Sequence, residues 1–209
     1  MKFFRRKSDK PRAGATDVDA GSATVTHRLT KELARAESLA LMLAMSRAAA
    51  VVDVADYLAG IYIYDWERLS KFWESQDAIG EYLQGICRIS PQRWHHWIEF
   101  YDKERRSEKH RGGEFASSAK DQASYSRPLG QSRDLQSILK RAEAIAPHHD
   151  RFEGRTIPIL TTECVLLAIS RDDDSEIGRK LRETGLDVPR LEQAARNPRH
   201  APLHGENVE

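Results

Sequence analysis

Reactive side chains are few in this sequence and scattered along it. Histidines cluster twice, as His95-His96 and as His148-His149-Asp150. Adjacent residues on a helix point about 100° apart, so His95 and His96 cannot comfortably ligate one ion. The second cluster follows Pro147 in what reads as an exposed connection. Both are expected to be surface histidines, and no metal site is assigned. The two cysteines, Cys87 and Cys164, form no CxxC pair and lie among apolar neighbours, Leu83 and Ile86 or Val165 and Leu166. Buried, inert thiols are the expectation, with no disulfide framework. A phosphate cradle of the GxxxxGK[ST] type is absent, and Gly112-Gly113 sits in a charged stretch unsuited to phosphate. No catalytic residue and no cofactor is therefore assigned, and the chain is expected not to be an enzyme.

Composition narrows the partners. The 209 residues carry 33 Lys+Arg against 32 Asp+Glu, a net charge of +1, so no global field draws nucleic acid or anionic membrane. The basic run Lys103–Arg111 is interleaved with Asp102, Glu104 and Glu108, the pattern of a solvated segment. No stretch approaches the ~20 apolar residues of a bilayer helix. Met1-Lys2-Phe3-Phe4-Arg5-Arg6-Lys7 is not followed by the apolar run of a secretory leader, so a cytoplasmic protein without an integral membrane segment is expected. The basic arm to Arg12 reads as a solvated tail.

The elements that must position any site are helical. Leu29, Leu33, Ala36, Ala40 and Leu43 recur at spacings of four and three, one face of an amphipathic helix, and Leu135, Ile138, Leu139, Ala142, Ile145 and Ala146 do the same. Ser90-Pro91 caps and starts a helix carrying Trp94, Trp97, Ile98 and Tyr101. Gly185 closes a helix that includes Ile177 and Leu181, and Asp187 before Val188-Pro189 opens the next. Ile61-Tyr62-Ile63-Tyr64 favours strand locally, but Leu58 and Trp66 continue a helical face. The chain divides into a disordered basic tail (1–25), a helical region ending in the Trp-rich helix (26–105), a flexible linker (106–131), a second helical region (132–196) and a disordered tail (197–209). All-α is the expected class.

The second helical region repeats the first. At an offset of 102, Thr30 meets Ser132, Leu33 meets Leu135 and Ala40 meets Ala142. At an offset of 108, Tyr57-Leu58-Ala59-Gly60-Ile61 meets Val165-Leu166-Leu167-Ala168-Ile169, and Leu83 meets Leu191. One insertion of six residues near His148–Gly154 reconciles the two. Each half is too short to bury its apolar face alone, and packing the halves with pseudo-twofold symmetry solves that.

The run Thr161-Thr162-Glu163-Cys164-Val165-Leu166-Leu167-Ala168-Ile169-Ser170-Arg171-Asp172, continued by Ile177, Leu181, Thr184-Gly185-Leu186-Asp187 and Leu191, resembles the repeat of the Clp chaperone N-terminal domain. Cys164 stands where that family usually has His, and the first half resembles a degenerate copy with Ala55 at the Glu position. The resemblance implies a non-enzymatic protein-binding module whose partner is a protein or peptide: a Clp ATPase, an adaptor or a substrate. Glu163 has two readings. One is a helix-start role, an acid complementing the helix dipole next to a capping Thr161 or Thr162. The other comes from family members that read arginine phosphate, in which Glu163 would face the guanidinium and Ser132 would supply the hydroxyl. The alternative function is a helical scaffold that binds a dedicated partner through Trp94, Trp97 and Tyr101.

Overall fold

The computed structural model describes residues 27–73, 76–110, 129–152 and 154–197. The first half runs β1 (Arg28–Leu29), α1 (Lys31–Ser46), β2 (Val51–Val52), α2 (Val54–Leu69), a 3-10 turn (Ser70–Phe72), α3 (Gln76–Ile86) and α4 (Pro91–His110). The second runs β3 (Gly130–Gln131), α5 (Arg133–Ile145), β4 (His149–Phe152), β5 (Arg155–Leu160), α6 (Thr162–Ser170), α7 (Glu176–Glu183) and α8 (Val188–Arg196). The architecture is all-α, with short strands stitching it together.

Capping chemistry starts the helices in matching places. The Thr30 hydroxyl accepts from the Leu33 amide to cap α1, and Ser132, at the offset of 102, accepts from Leu135 to cap α5. Asp53 caps α2 through a reciprocal capping box with Asp56, and Thr161, at the offset of 108, caps α6. Leu33, Ala36, Leu39, Ala40, Leu43 and Ala44 give α1 its buried stripe. By contrast α2 is buried on all sides from Val54 to Asp65, and α6 along its whole length. Burial on every face explains why Ile61–Tyr64 is helical despite its β preference: tertiary packing overrides local propensity.

The halves are joined by exchanged strands. β1 runs parallel to the end of β5, with Arg28 opposite Ile159 and Leu29 opposite Leu160; β2 runs parallel to β3, with Val51 opposite Gly130 and Val52 opposite Gln131. The Thr30 amide donates to the Leu160 carbonyl at 3.0 Å, and the Ser132 amide to the Val52 carbonyl at 2.9 Å. Under the two sequence offsets each contact is the image of the other, which is pseudo-twofold symmetry written in hydrogen bonds. Such short strands are not stable alone, so the helices they adjoin must hold them.

Several expectations change. Leu29 belongs to β1 and not to the helix face that follows it. The insertion, expected as an exposed connection, is a β4–β5 hairpin that turns at Gly154 (φ 77°) and widens the β1–β5 pairing to three strands. Here inserted residues lengthen a strand that the twin half keeps at two residues. The expected linker of 106–131 starts inside α4 and ends in β3; residues 111–128 lie outside the described residues, as do the tails 1–26 and 198–209.

Candidate functional site

On one side of the seam two open depressions meet at Gly185, together forming a groove. Its first wall starts at the 3-10 turn, where Lys71 and Phe72 lead into Trp73; its second is the connection from α7 to α8. Trp73 and Leu186 form a single antiparallel β-bridge across the seam. The Asp187 amide donates to the Phe72 carbonyl at 2.8 Å, the Trp73 indole N–H to the Thr184 hydroxyl at 3.2 Å, and Arg190 Nη1 to the Lys71 carbonyl at 2.8 Å. Gly185 takes φ 80°, a left-handed conformation that glycine adopts without strain, and so lets the chain leave α7 and turn at once along Trp73. Asp187 then caps α8 by accepting from the Arg190 amide.

Two cavities flank this bridge. The larger, about 680 Å³, lies between Ala78, Glu81 and Tyr82 of α3 and Lys180, Glu183 and Thr184 of the second half. The smaller, about 430 Å³, lies between Lys71, Phe72 and Trp73 on one side and Leu186, Asp187 and Arg190 on the other. Gly185 lines both. None of these residues stands out by type or spacing as a binding residue. The groove wall is made by elements about a hundred residues apart, and what points to it in the sequence is the repeat, which implies a crease between the halves where a peptide or partner helix would dock.

The residues expected from sequence are placed as follows. Glu163 sits in the first turn of α6, only 5% exposed. Its Oε2 lies 3.5 Å from Nη2 of Arg68 on α2, and the same nitrogen is 2.5 Å from Oδ2 of Asp65, where α2 is kinked (φ −118°, ψ 22°). The carboxylate therefore already faces a guanidinium, supplied by this chain. Ser132 spends its hydroxyl on capping α5. Trp94 is a core residue, 4% exposed and stacked on Tyr62 with ring centroids 5.6 Å apart, so it is not available as an anchor. Trp97 is half-buried under the Arg93 guanidinium, and Tyr101 is half-buried edge-on to Tyr64. Phe100, 53% exposed, is the aromatic that α4 presents to solvent.

Both thiols are buried, and burial pushes them up: Cys87 to about 12, with the nearby Asp56 carboxylate adding to the effect, and Cys164 in the same direction. His148 and His149 are exposed, and no group of three metal-ligating side chains occurs among the described residues.

A second cluster of charged side chains surrounds the buried Asp56. Asp56 is fully buried and pairs with Arg47, which follows α1, while Asp53 lies 3.8 Å from the same Arg47 nitrogen and Cys87 of the α3 end is close enough to feel its charge. Desolvation, reinforced by Asp53, raises the Asp56 carboxyl to about 6, against the opposing pull of Arg47 and of the Asp53 amide. A carboxyl raised on folding stabilises the fold when protonated, so its contribution is complete below the unfolded value near 3.8 and is lost as pH rises towards 6. The expected result is a fall of roughly 2–3 kcal/mol in unfolding free energy between pH 4 and pH 6 that is missing in Asp56→Asn. Urea titrations of the two proteins across that range check it; parallel pH profiles refute it.

Fold and groove together define a class: a two-repeat helical module whose halves exchange short strands and share one seam. The N-terminal domain of the caseinolytic protease associated chaperone ClpD from Arabidopsis thaliana is similar to this chain, with a TM-score of 0.39 and 19% identity over 83% of this chain and 96% of that one. No family model matches the sequence, and no curated protein matches it.

Proposed function

We propose that the chain is a non-catalytic protein-binding module that holds an extended polypeptide in the groove along its seam. The observation that carries this is the pair of cavities meeting at Gly185, each walled by both halves. Both spaces are open to solvent and lined in good part by polar side chains, which suits a chain lying along them better than an enclosed small molecule. Hydrogen bonds across the seam fix the floor beforehand, so little ordering cost remains for a guest. The Clp-like run Thr161–Asp172 selects the first partners to try: a Clp ATPase, an adaptor or a substrate.

The test uses a fluorescently labelled, permanently unfolded protein, such as a reduced and carboxymethylated globular protein, as the probe. Ala78 is exposed on the wall of the larger cavity, so Ala78→Trp fills the space without touching the core. Binding is expected to weaken about tenfold or more, with the thermal midpoint held. Unchanged binding overturns the groove. Phe100→Ala probes α4 as the alternative docking element, and a loss confined to that variant would favour the helix.

A further inference from the structure

We propose that the groove selects its peptide by charge, taking an acidic residue at the Lys71–Arg190 end and a basic residue at the Glu81 end. This deepens the reading of the seam as a peptide groove and rests on it. The smaller cavity is bordered by two exposed cations. Lys71 Nζ lies 4.8 Å above the Phe72 ring, and Arg190 is steadied by its Nη1 bond to the Lys71 carbonyl. Neither has an ion-pair partner among the described residues, and the two cations share their cavity with one acid, Asp187, which caps α8. In the larger cavity the charges are arranged the other way. Lys180 is paired with Glu183 at 3.4 Å, and Glu183 also meets Arg179 at 3.9 Å. Glu81 is exposed and has no ion-pair partner among the described residues.

The groove thus carries net positive charge at one end, where Lys71 and Arg190 outnumber Asp187, and net negative charge at the other, where Glu81, Glu183 and the exposed Glu176 whose charge reaches Tyr82 outnumber Lys180 and Arg179; Gly185 and the Trp73–Leu186 bridge lie between. Peptide backbone is neutral, so such a field acts on side chains and sets which sequence enters and in which direction. An extended segment whose acidic and basic residues are separated by the span of the bridge satisfies both ends at once. A uniformly charged segment meets repulsion at one of them.

The experiment is fluorescence anisotropy at low salt with three short labelled peptides, acetylated and amidated so that termini carry no charge. One holds a glutamate and a lysine, one holds two lysines, and one is uncharged. The glutamate–lysine peptide is expected to bind about tenfold tighter than the uncharged peptide, with the difference shrinking at high salt. In Lys71→Glu/Arg190→Glu this advantage disappears and the two-lysine peptide gains, a reversal that simple damage to the wall does not produce. Should that variant fail to fold by circular dichroism, Lys71→Ala, which leaves the Arg190 bond to the backbone, is expected to remove about half of the advantage on a logarithmic scale. Equal binding of charged and uncharged peptides, with both weakened by Ala78→Trp, overturns the charge proposal and leaves the groove standing. Binding untouched by Ala78→Trp overturns the groove and the charge proposal together.

Discussion

Arg68→Met lowers the unfolding free energy by about 3–5 kcal/mol, because removing one partner of a buried ionic cluster strands the rest. Arg68 is the cation between Asp65 and Glu163, whose side chains are each 6% exposed. Methionine fills similar space but leaves two buried carboxylates facing each other across the seam. Glu163→Gln tests the same cluster from the other side. It removes one of the two acids and leaves Asp65 to Arg68, so its effect on stability is expected to stay within about 1 kcal/mol. Combining Arg68→Met with Asp65→Asn and Glu163→Gln should recover most of the loss, since neither carboxylate is then left charged without Arg68. Urea unfolding of the four proteins decides the matter, and equal losses for Arg68→Met and the triple variant would refute the electrostatic account. The same series bears on the arginine-phosphate reading of Glu163. A ligand guanidinium would have to displace Arg68, so the wild-type chain is expected to bind free phosphoarginine weakly if at all.

Gly60→Ala costs about 3 kcal/mol, towards the upper end of what overpacking a tight core does. A Cβ at Gly60 would lie 2.3 Å from the Ala36 carbonyl oxygen and 3.0 Å from the Ala40 nitrogen. Those are backbone atoms of α1, so only a shift of the whole helix relieves the clash, and α1 is tied at its start by β1 and Thr30. The repeat supplies the contrast, for the equivalent residue of the second half, at the offset of 108, is Ala168, buried without difficulty. The approach of α1 to α2 is therefore closer than its twin requires, and glycine permits it. Gly85 is the control. It lies in α3, and a Cβ there would meet nothing within 4 Å, so Gly85→Ala is expected to stabilise by about 0.5–1 kcal/mol through helix propensity alone. Thermal and urea unfolding of both variants give the two signs; a loss at Gly85 equal to that at Gly60 would contradict the packing argument.

The candidate site was legible only in part. Glu163 stands out in sequence as an acid at a helix start, and it is one. Its partner Arg68 could not be read, because it sits nearly a hundred residues away, one turn after a kink that no proline or glycine announces. Trp94 and Phe100 show the same limit on a single helix. Trp94 reads as an anchor by type and Phe100 does not, and only the placement of α4 against Tyr62 makes Trp94 core and leaves Phe100 exposed. Lys71, Glu81 and Arg190 carry no motif at all, and they become a set because the seam gathers them.

Everything readable along the chain is local or periodic. Caps at Ser90, Asp187 and Thr161, the apolar stripes of α1 and α5, and the twofold repetition at the offsets of 102 and 108 all follow from interactions within a few residues. Packing of the two copies against each other settles the remainder: the strand exchange, the buried Asp65–Arg68–Glu163 cluster, and the groove with its opposed charges. Hydrogen bonding along a helix and burial of its stripe are set by spacing, whereas electrostatic and steric complementarity is set by distances that exist only once the halves have met.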